Sequence, residues 1–260
     1  MKVLSWNVNS IRVRKDQLLS LIKKEDPDII CLQETKTIDD CFPKDVLEKK
    51  GYFVYINGIQ SYNGVAIISK IEATKINSHK FCNKNDARHI QANFKKFSIH
   101  SIYVPAGGDT PDINENEKFN HKIRFLDEMA MFFEFNENQI NILCGDLNVS
   151  PNEDDVWSHK QLQNVVSHTK IEREKLIKIM TKGKFIDTTR MFISPPENVF
   201  TWWSYRSKDF RKNNRGRRLD HIWITDHQSI ESLNAKIMVG ARSLPQPSDH
   251  VPISYEFNLS

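Results

Sequence analysis

Three features of this chain imply an α/β architecture, with mixed sheets covered by helices. Short apolar runs rich in β-branched residues recur along its 260 residues, bounded by Gly, Pro, Asn and Asp, and each has the length of a strand. Amphipathic stretches of helical period lie between them. Hairpin-like pairs, such as residues 87–104, sit among the runs and favour mixed over purely parallel sheets.

Taken in order, KVLSWNV (2–8) is the first strand. Residues 14–25 then carry Leu18, Leu19, Leu21 and Ile22 on one side and stop before Pro27, as a helix does. DIICLQE (28–34) is the second strand, and residues 44–50 form a short helix ending in Lys49-Lys50-Gly51, a favourable helix terminus. YFVYIN (52–57), VAIISK (65–70), HIQANF (89–94) and FSIHSIYV (97–104) read as further strands. A longer amphipathic helix is expected over residues 114–135, a strand at INILCGD (140–146), and another helix over residues 170–181. NVFTWW (198–203), RLDHIWIT (218–225) and ISYEF (253–257) complete the strands. No linker-like break in composition appears, so residues 1–260 are expected to be one domain, its halves two sheets packed face to face.

Bulk composition narrows the function classes. With 39% hydrophobic and 27% charged residues the chain reads as soluble and globular, with a large buried core. Cys31, Cys41, Cys82 and Cys144 show no CxxC spacing, which points to reduced thiols and a cytoplasmic setting. MKVLSWNVNS is polar by its seventh residue and lacks a signal peptide's apolar stretch. No window reaches the roughly 18–20 apolar residues of a membrane span. The formal net charge of +4 is a mild excess, and its distribution says more than its size.

Polar, chemically capable residues gather at the C-terminal ends of the apolar runs: Asn7 and Asn9 after VLSW, Glu34 after IICLQ, Tyr103 after IHSI, Asp146 and Asn148 after NILCG. Strand ends are where side chains from distant segments converge on a ligand. Glu34, Asp146, Asp220 and Asp249, with Asn7, Asn9 and Asn148, offer hard oxygen donors, a set suited to Mg²⁺ or Mn²⁺ and not to zinc. Mg²⁺ is commonly bound together with a phosphate oxygen, so a phosphate ester is the natural substrate. Within CGDLNVSP (144–151), Asp146 can take a proton from attacking water while Asn148 holds that water or a phosphate oxygen. Asp-His pairs occur at Asp220-His221 and Asp249-His250, the second in PSDHVP, and an imidazole oriented by a carboxylate is a recurring catalytic device. Arg206, Lys208, Arg211, Lys212, Arg215, Arg217 and Arg218 form a basic run, suited to phosphate contacts whose strength falls with salt.

SWNVNSIR, LQETK, YVPAGG, GDLNVSP, RLDHI and PSDHVP, in this order and spacing, resemble the signatures of the exonuclease III family of abasic-site endonucleases, within the endonuclease/exonuclease/phosphatase superfamily. The resemblance covers residues 2 to about 257. It implies a four-layered α/β sandwich of two packed mixed sheets with helices outside. It also implies a Mg²⁺-dependent repair nuclease acting on double-stranded DNA; separately, a monomer with no membrane partner is expected, with Mn²⁺ able to substitute for Mg²⁺. Such an enzyme hydrolyses the phosphodiester 5′ to abasic sites, with 3′–5′ exonuclease and 3′-end-cleaning activities. Carried over by residue, Glu34 is the principal metal ligand, assisted by Asn7 or Asn9, with Asp249 beside the metal. His250 contacts the scissile phosphate, Asp220 orients it, Asp146 and Asn148 manage the attacking water, and Tyr103 donates to a phosphate oxygen. Trp202 and Leu219 line the pocket for the abasic sugar, Trp203 belongs to the core, and Arg206, Asn214, Arg215 and Arg218 are expected on DNA, Arg206 where some relatives insert a side chain. Two departures stand out: Ser10 replaces a common glycine, and Arg217 takes a pocket position that is commonly large and apolar. The alternatives are a related metal phosphodiesterase or general nuclease without abasic preference, and a DNA-binding relative that has lost catalysis.

Overall fold

The computed structural model describes residues 1–207 and 209–260. Lys208 of the basic run lies outside the described residues. The strands are β1 (Lys2–Asn7), β2 (Ile29–Gln33), β3 (Phe53–Asn57), β4 (Val65–Ser69), β5 (Lys75–Asn77), β6 (His89–Asn93), β7 (Phe97–Tyr103), β8 (Ile140–Asp146), β9 (Phe185–Asp187), β10 (Asp220–Thr225), β11 (Ile230–Ile237) and β12 (Ile253–Leu259). The helices are α1 (Ile11–Glu25), α2 (Lys44–Glu48), α3 (Glu117–Phe132), α4 (His159–Leu162), α5 (Lys170–Gly183), α6 (Thr188–Phe192) and α7 (Phe210–Asn213). No helix among the described residues is long and apolar enough to cross a membrane.

The strands form two mixed six-stranded sheets, ordered β11-β12-β1-β2-β4-β3 and β5-β6-β7-β8-β10-β9. Alternation along each strand builds the layers. Val3, Ile29, Cys31, Val65 and Ile67 of the first sheet share one core with Ile90, Ile99, Ile142, Cys144 and Ile222 of the second. Their sequence neighbours Leu4, Trp6, Ile30, Leu32 and Ala66 belong instead to a cluster with Ile11, Leu18 and Ile22 of α1. On the other side, Ile102, Leu143 and Trp223 meet Phe125 and Met129 of α3 and Leu176 and Ile179 of α5. Helix, sheet, sheet and helix therefore stack in four layers. Both faces of the central strands are buried, which is why they read as unbroken apolar runs. Each fully buried Leu, Ile or Phe contributes roughly 1.5–3 kcal/mol.

The boundaries shift where local chemistry is stronger than periodicity. The helix expected from residue 114 starts at Glu117, because the Asn116 side chain accepts from the Lys118 and Phe119 N–H groups and caps it. NVFTWW joins neither sheet. Trp202 makes isolated bridges to Arg217 and His250, while Phe200 and Trp203 pack with Val251 in a satellite cluster. That packing buries the apolar side chains without a ladder. β11, absent from the apolar runs, is largely exposed at a sheet edge and carries little apolar signal.

Pairing direction decides where the polar strand ends go. β1 and β2 run parallel with Asn7 opposite Gln33, and β7 and β8 run parallel with Tyr103 opposite Asp146. β10 runs antiparallel to β8, placing Asp220 opposite Asp146. β12 runs antiparallel to β1, so the turn before it returns to the same rim, where Ser248 Oγ donates to the Asn7 carbonyl at 2.7 Å.

Candidate active site

Glu34, Asp146 and His250 meet at that rim, with one potential ligand atom from each within 4.8 Å of the others. Tyr103, Asn148, Trp202, Leu219 and Asp249 line the same cavity, of about 330 Å³. Asn7 sits between the two acids, its Nδ2 donating to Glu34 Oε1 and to Asp146 Oδ2, each at 2.9 Å. Its Oδ1 accepts from the Asn9 N–H at 3.0 Å. Asn7, expected as a metal ligand, therefore presents its nitrogen to the site and spaces the carboxylates. Asn9 also differs from a free ligand: its Nδ2 donates to Asp249 Oδ1 at 2.9 Å, and its Oδ1 accepts from Lys36 at 2.5 Å.

Charge is arranged unevenly. Burial alone would raise the pKa of Glu34, but the Lys36 ammonium 2.7 Å away, the Asn7 hydrogen bond and the His250 charge together hold it below the usual range. Asp146 is pushed up to about 7, chiefly by burial, although His250 pulls the other way. Its two oxygens accept from the Asn148 N–H (2.9 Å), Asn148 Nδ2 (3.2 Å) and Asn7. His250 is also buried, which disfavours its charge, yet Asp220 and Asp146 reverse that and raise it to about 10. Its Nδ1 lies 2.8 Å from Asp220 Oδ2 and its Nε2 3.6 Å from Asp146 Oδ2. The ring is thereby favoured in its charged form, with Nδ1 on Asp220 and Nε2 toward Asp146. For Asp249, burial is outweighed by the His250 charge and by hydrogen bonds from Asn9 and Trp202, and its pKa is lowered.

Tyr103 stays a phenol, since burial and the nearby Glu34 and Asp146 raise its pKa well above the ordinary value. Arg88 lies over its ring, 4.8 Å from the centroid, and donates to its carbonyl at 3.2 Å. Asn148 has a left-handed backbone, with φ 51°. Its Nδ2 donates to the Val104 carbonyl and its own carbonyl accepts from the buried Lys122 at 2.8 Å, leaving Oδ1 without a partner among the described residues. Lys122 is in turn held by Glu172 at 2.5 Å, both side chains fully buried.

A divalent cation fits this donor set. Two carboxylates of different elements converge beside a cavity, and an acid lifted to about 7 by burial among other acids marks negative charge that a cation would relieve. The donors are hard oxygens, suited to Mg²⁺ or Mn²⁺.

The expected DNA contacts divide. Trp202 is half-buried and donates from Nε1 to Asp249 Oδ2 at 3.0 Å, whereas Trp203 is core. Arg206, Asn214 and Arg215 are exposed on the rim loop, with Arg215 stacked 4.6 Å from the Trp157 ring centroid. Arg218 does not belong with them. It is fully buried, bonded through Nε and Nη2 to both oxygens of Asp155 at 2.9 Å and through Nη1 to Asp187 at 2.7 Å. Two acids distant in sequence draw it inward, so it cannot reach a phosphate. His221 also leaves the site, with Nε2 3.0 Å from the Val149 carbonyl in the core. Ser10 accepts the departure from glycine at φ 90°, its N–H held by the Glu34 carbonyl at 2.8 Å. Lys36, Arg88 and Lys122 contribute to the site without having been singled out. Lys36 and Arg88 carried a local signal, since each lies within a few residues of a strand end or strand start.

Residues 4–250 match a family model described as the endonuclease/exonuclease/phosphatase family. Exodeoxyribonuclease III of Haemophilus influenzae is 30% identical over 271 residues, covering 99% of this chain and 100% of the relative. Among solved structures, an AP endonuclease from Archaeoglobus fulgidus superposes with a TM-score of 0.90 at 29% identity, over 100% of both chains. A 3′ phosphatase from Neisseria, bound to a product DNA hairpin, gives 0.89 at 26% identity over 99% of both.

Proposed function

The chain belongs to the endonuclease/exonuclease/phosphatase family, and from that premise we propose that it is a DNA repair nuclease that hydrolyses the phosphodiester 5′ to abasic sites in duplex DNA. The same site would serve 3′–5′ exonuclease and 3′-end-cleaning reactions, with Mg²⁺ as the metal. The observation that carries this reading is the convergence of Glu34, Asp146 and the Asp220-paired His250 on one cavity. The two sheets share one core, which supports reading residues 1–260 as one domain.

Glu34 would hold the metal, with Asp146 close by and Asp249 and Asn9 at its side. When bound, the ion supplies electrostatic stabilisation of the charge that develops on the phosphate and the leaving oxygen. Asp146 takes the proton of the attacking water, for which a pKa near neutrality suits a general base. Asn148 orients that water through its free Oδ1, held in place by Lys122 and Val104. Tyr103 donates its phenolic proton in a hydrogen bond to a phosphate oxygen, and the His250 imidazolium faces the same charge from the other side. Asp220 keeps His250 charged and oriented. Trp202 and Leu219 provide the apolar wall for the sugar.

The test is incision of a duplex carrying a single tetrahydrofuran abasic analogue by the purified protein. Cutting on the 5′ side of the analogue that leaves a 3′-hydroxyl, requires Mg²⁺ and stops in EDTA is the expected result. Equal cutting of the undamaged duplex would replace the proposal with a general nuclease. No cutting at any Mg²⁺ or Mn²⁺ concentration would leave a DNA-binding relative without catalysis.

A further inference from the structure

Beside the catalytic residues the cavity is walled by Val165, Val166, Ser167, Trp202, Leu219 and Arg217. Arg217 and Arg218 are neighbours in sequence with opposite fates. Arg218 is neutralised by Asp155 and Asp187, whereas Arg217 forms no ion pair among the described residues. Its Nη1 donates to the Val166 carbonyl at 2.9 Å and to Ser167 Oγ at 2.5 Å, both uncharged. Its guanidinium carbon lies 5.6 Å from the Trp202 ring centroid. Nε and Nη2 have no hydrogen-bond partner among the described residues, and the residue lines the cavity. Glu172, whose charge reaches Arg217, is already saturated by Lys122, by the Ser167 and Thr169 N–H groups and by Thr169 Oγ1.

A half-buried cation with two unused donors is poorly matched to a neutral sugar, which would strip its water and return no counter-charge. It is well matched to a carboxylate, whose two oxygens a planar guanidinium engages side by side. We propose that Arg217 turns the preference of this site toward duplex ends whose 3′ phosphate carries a small carboxylate-bearing remnant of an oxidised sugar, and away from the neutral internal abasic sugar. This inference rests on the nuclease reading above. In the reaction, water adds to phosphorus and loses its proton to Asp146. The bond between phosphorus and the strand's 3′ oxygen breaks, that oxygen takes up a proton to become a 3′-hydroxyl, and the phosphate leaves still esterified to the remnant.

The experiment compares wild type, Arg217→Met and Arg217→Lys on duplexes with a 3′-phosphoglycolate end, a 3′-phosphate end and an internal tetrahydrofuran. The ratio of kcat/KM for the phosphoglycolate end to that for tetrahydrofuran is expected to fall roughly tenfold or more in Arg217→Met, and to recover in part in Arg217→Lys, which keeps charge without the fork. Ratios within one preparation are independent of the folded fraction. A ratio that moves by less than about twofold (under ~0.4 kcal/mol) would overturn the assignment. Binding of the phosphoglycolate and phosphate ends in EDTA is the second readout. If wild type cuts none of the three, the nuclease reading fails, and the Arg217 assignment then stands on a binding preference for the carboxylate-bearing end that Arg217→Met loses. Equal binding of both ends by wild type overturns it.

Discussion

His250 shows how a single side chain acquires its chemistry from groups that sequence does not place beside it. Burial favours the neutral ring, but Asp220 at 2.8 Å and Asp146 at 3.6 Å raise its pKa to about 10. The unfolded value is about 6.5, so the stability linked to this charge is complete below about pH 6.5 and is lost as pH rises through about 10. In EDTA, the difference in urea midpoint between wild type and His250→Asn should be widest near pH 6 and narrow steadily toward pH 10. A difference that stays constant over that range would mean that the folded ring is neutral. The types and strand-end positions of Glu34, Asp146, Asn148 and His250 were legible in the sequence. The orientation of Asn7 and the burial of Arg218 were not, because each depends on partners reached through space: the acids flanking Asn7, and Asp155 and Asp187 around Arg218.

At the scale of elements, the parallel pair β7–β8 sets the distance between Tyr103 and Asp146. Gly145 is the close approach that permits it: a Cβ there would lie 1.9 Å from the Ile102 carbonyl oxygen, which is backbone and cannot swing away. Gly145→Ala must push the strands apart or break the ladder, and is expected to destabilise by about 1–3 kcal/mol or more, with turnover falling further than stability requires because Asp146 moves with the strand. Denaturant midpoints and kcat/KM together check this, and a variant as stable and active as wild type would show that the pair tolerates separation. Strand runs such as INILCGD and IICLQ announced themselves because both faces are buried. β9 and β11 did not, being short or exposed, and NVFTWW misled because its apolar residues satisfy a satellite cluster instead of a sheet.

Across the whole molecule, the two sheets bring the ends of β1, β2, β7 and β8, the start of β10 and the turn before β12 to one rim, with the exposed Arg206, Arg211, Lys212 and Arg215 beside it. Charge so placed steers and holds a polyanion. Neutralising Arg206 and Arg215 together should weaken duplex binding and reduce the slope of log K against log salt by up to about 2, since each phosphate contact contributes about 1. Arg218→Met should instead lower stability by roughly 3–5 kcal/mol, because the buried Asp155 keeps only Arg190 and Asp187 loses its Arg218 partner. Binding isotherms at several salt concentrations separate the two, and an unchanged slope in the double variant would take the loop off the phosphates.

The order of the central strands and the longer helices, the mixed sheets covered by helices and the kinds of donor available for phosphate chemistry were determined by the sequence alone. These follow from periodicity and residue type, which are local. Only the tertiary structure decided that Arg217 opens to the cavity while Arg218 is consumed, that Asn7 turns its nitrogen inward, and that Asp146 and His250 titrate far from their ordinary values. Those outcomes depend on register between strands more than a hundred residues apart and on the exclusion of water where they meet, which no stretch of neighbouring residues specifies.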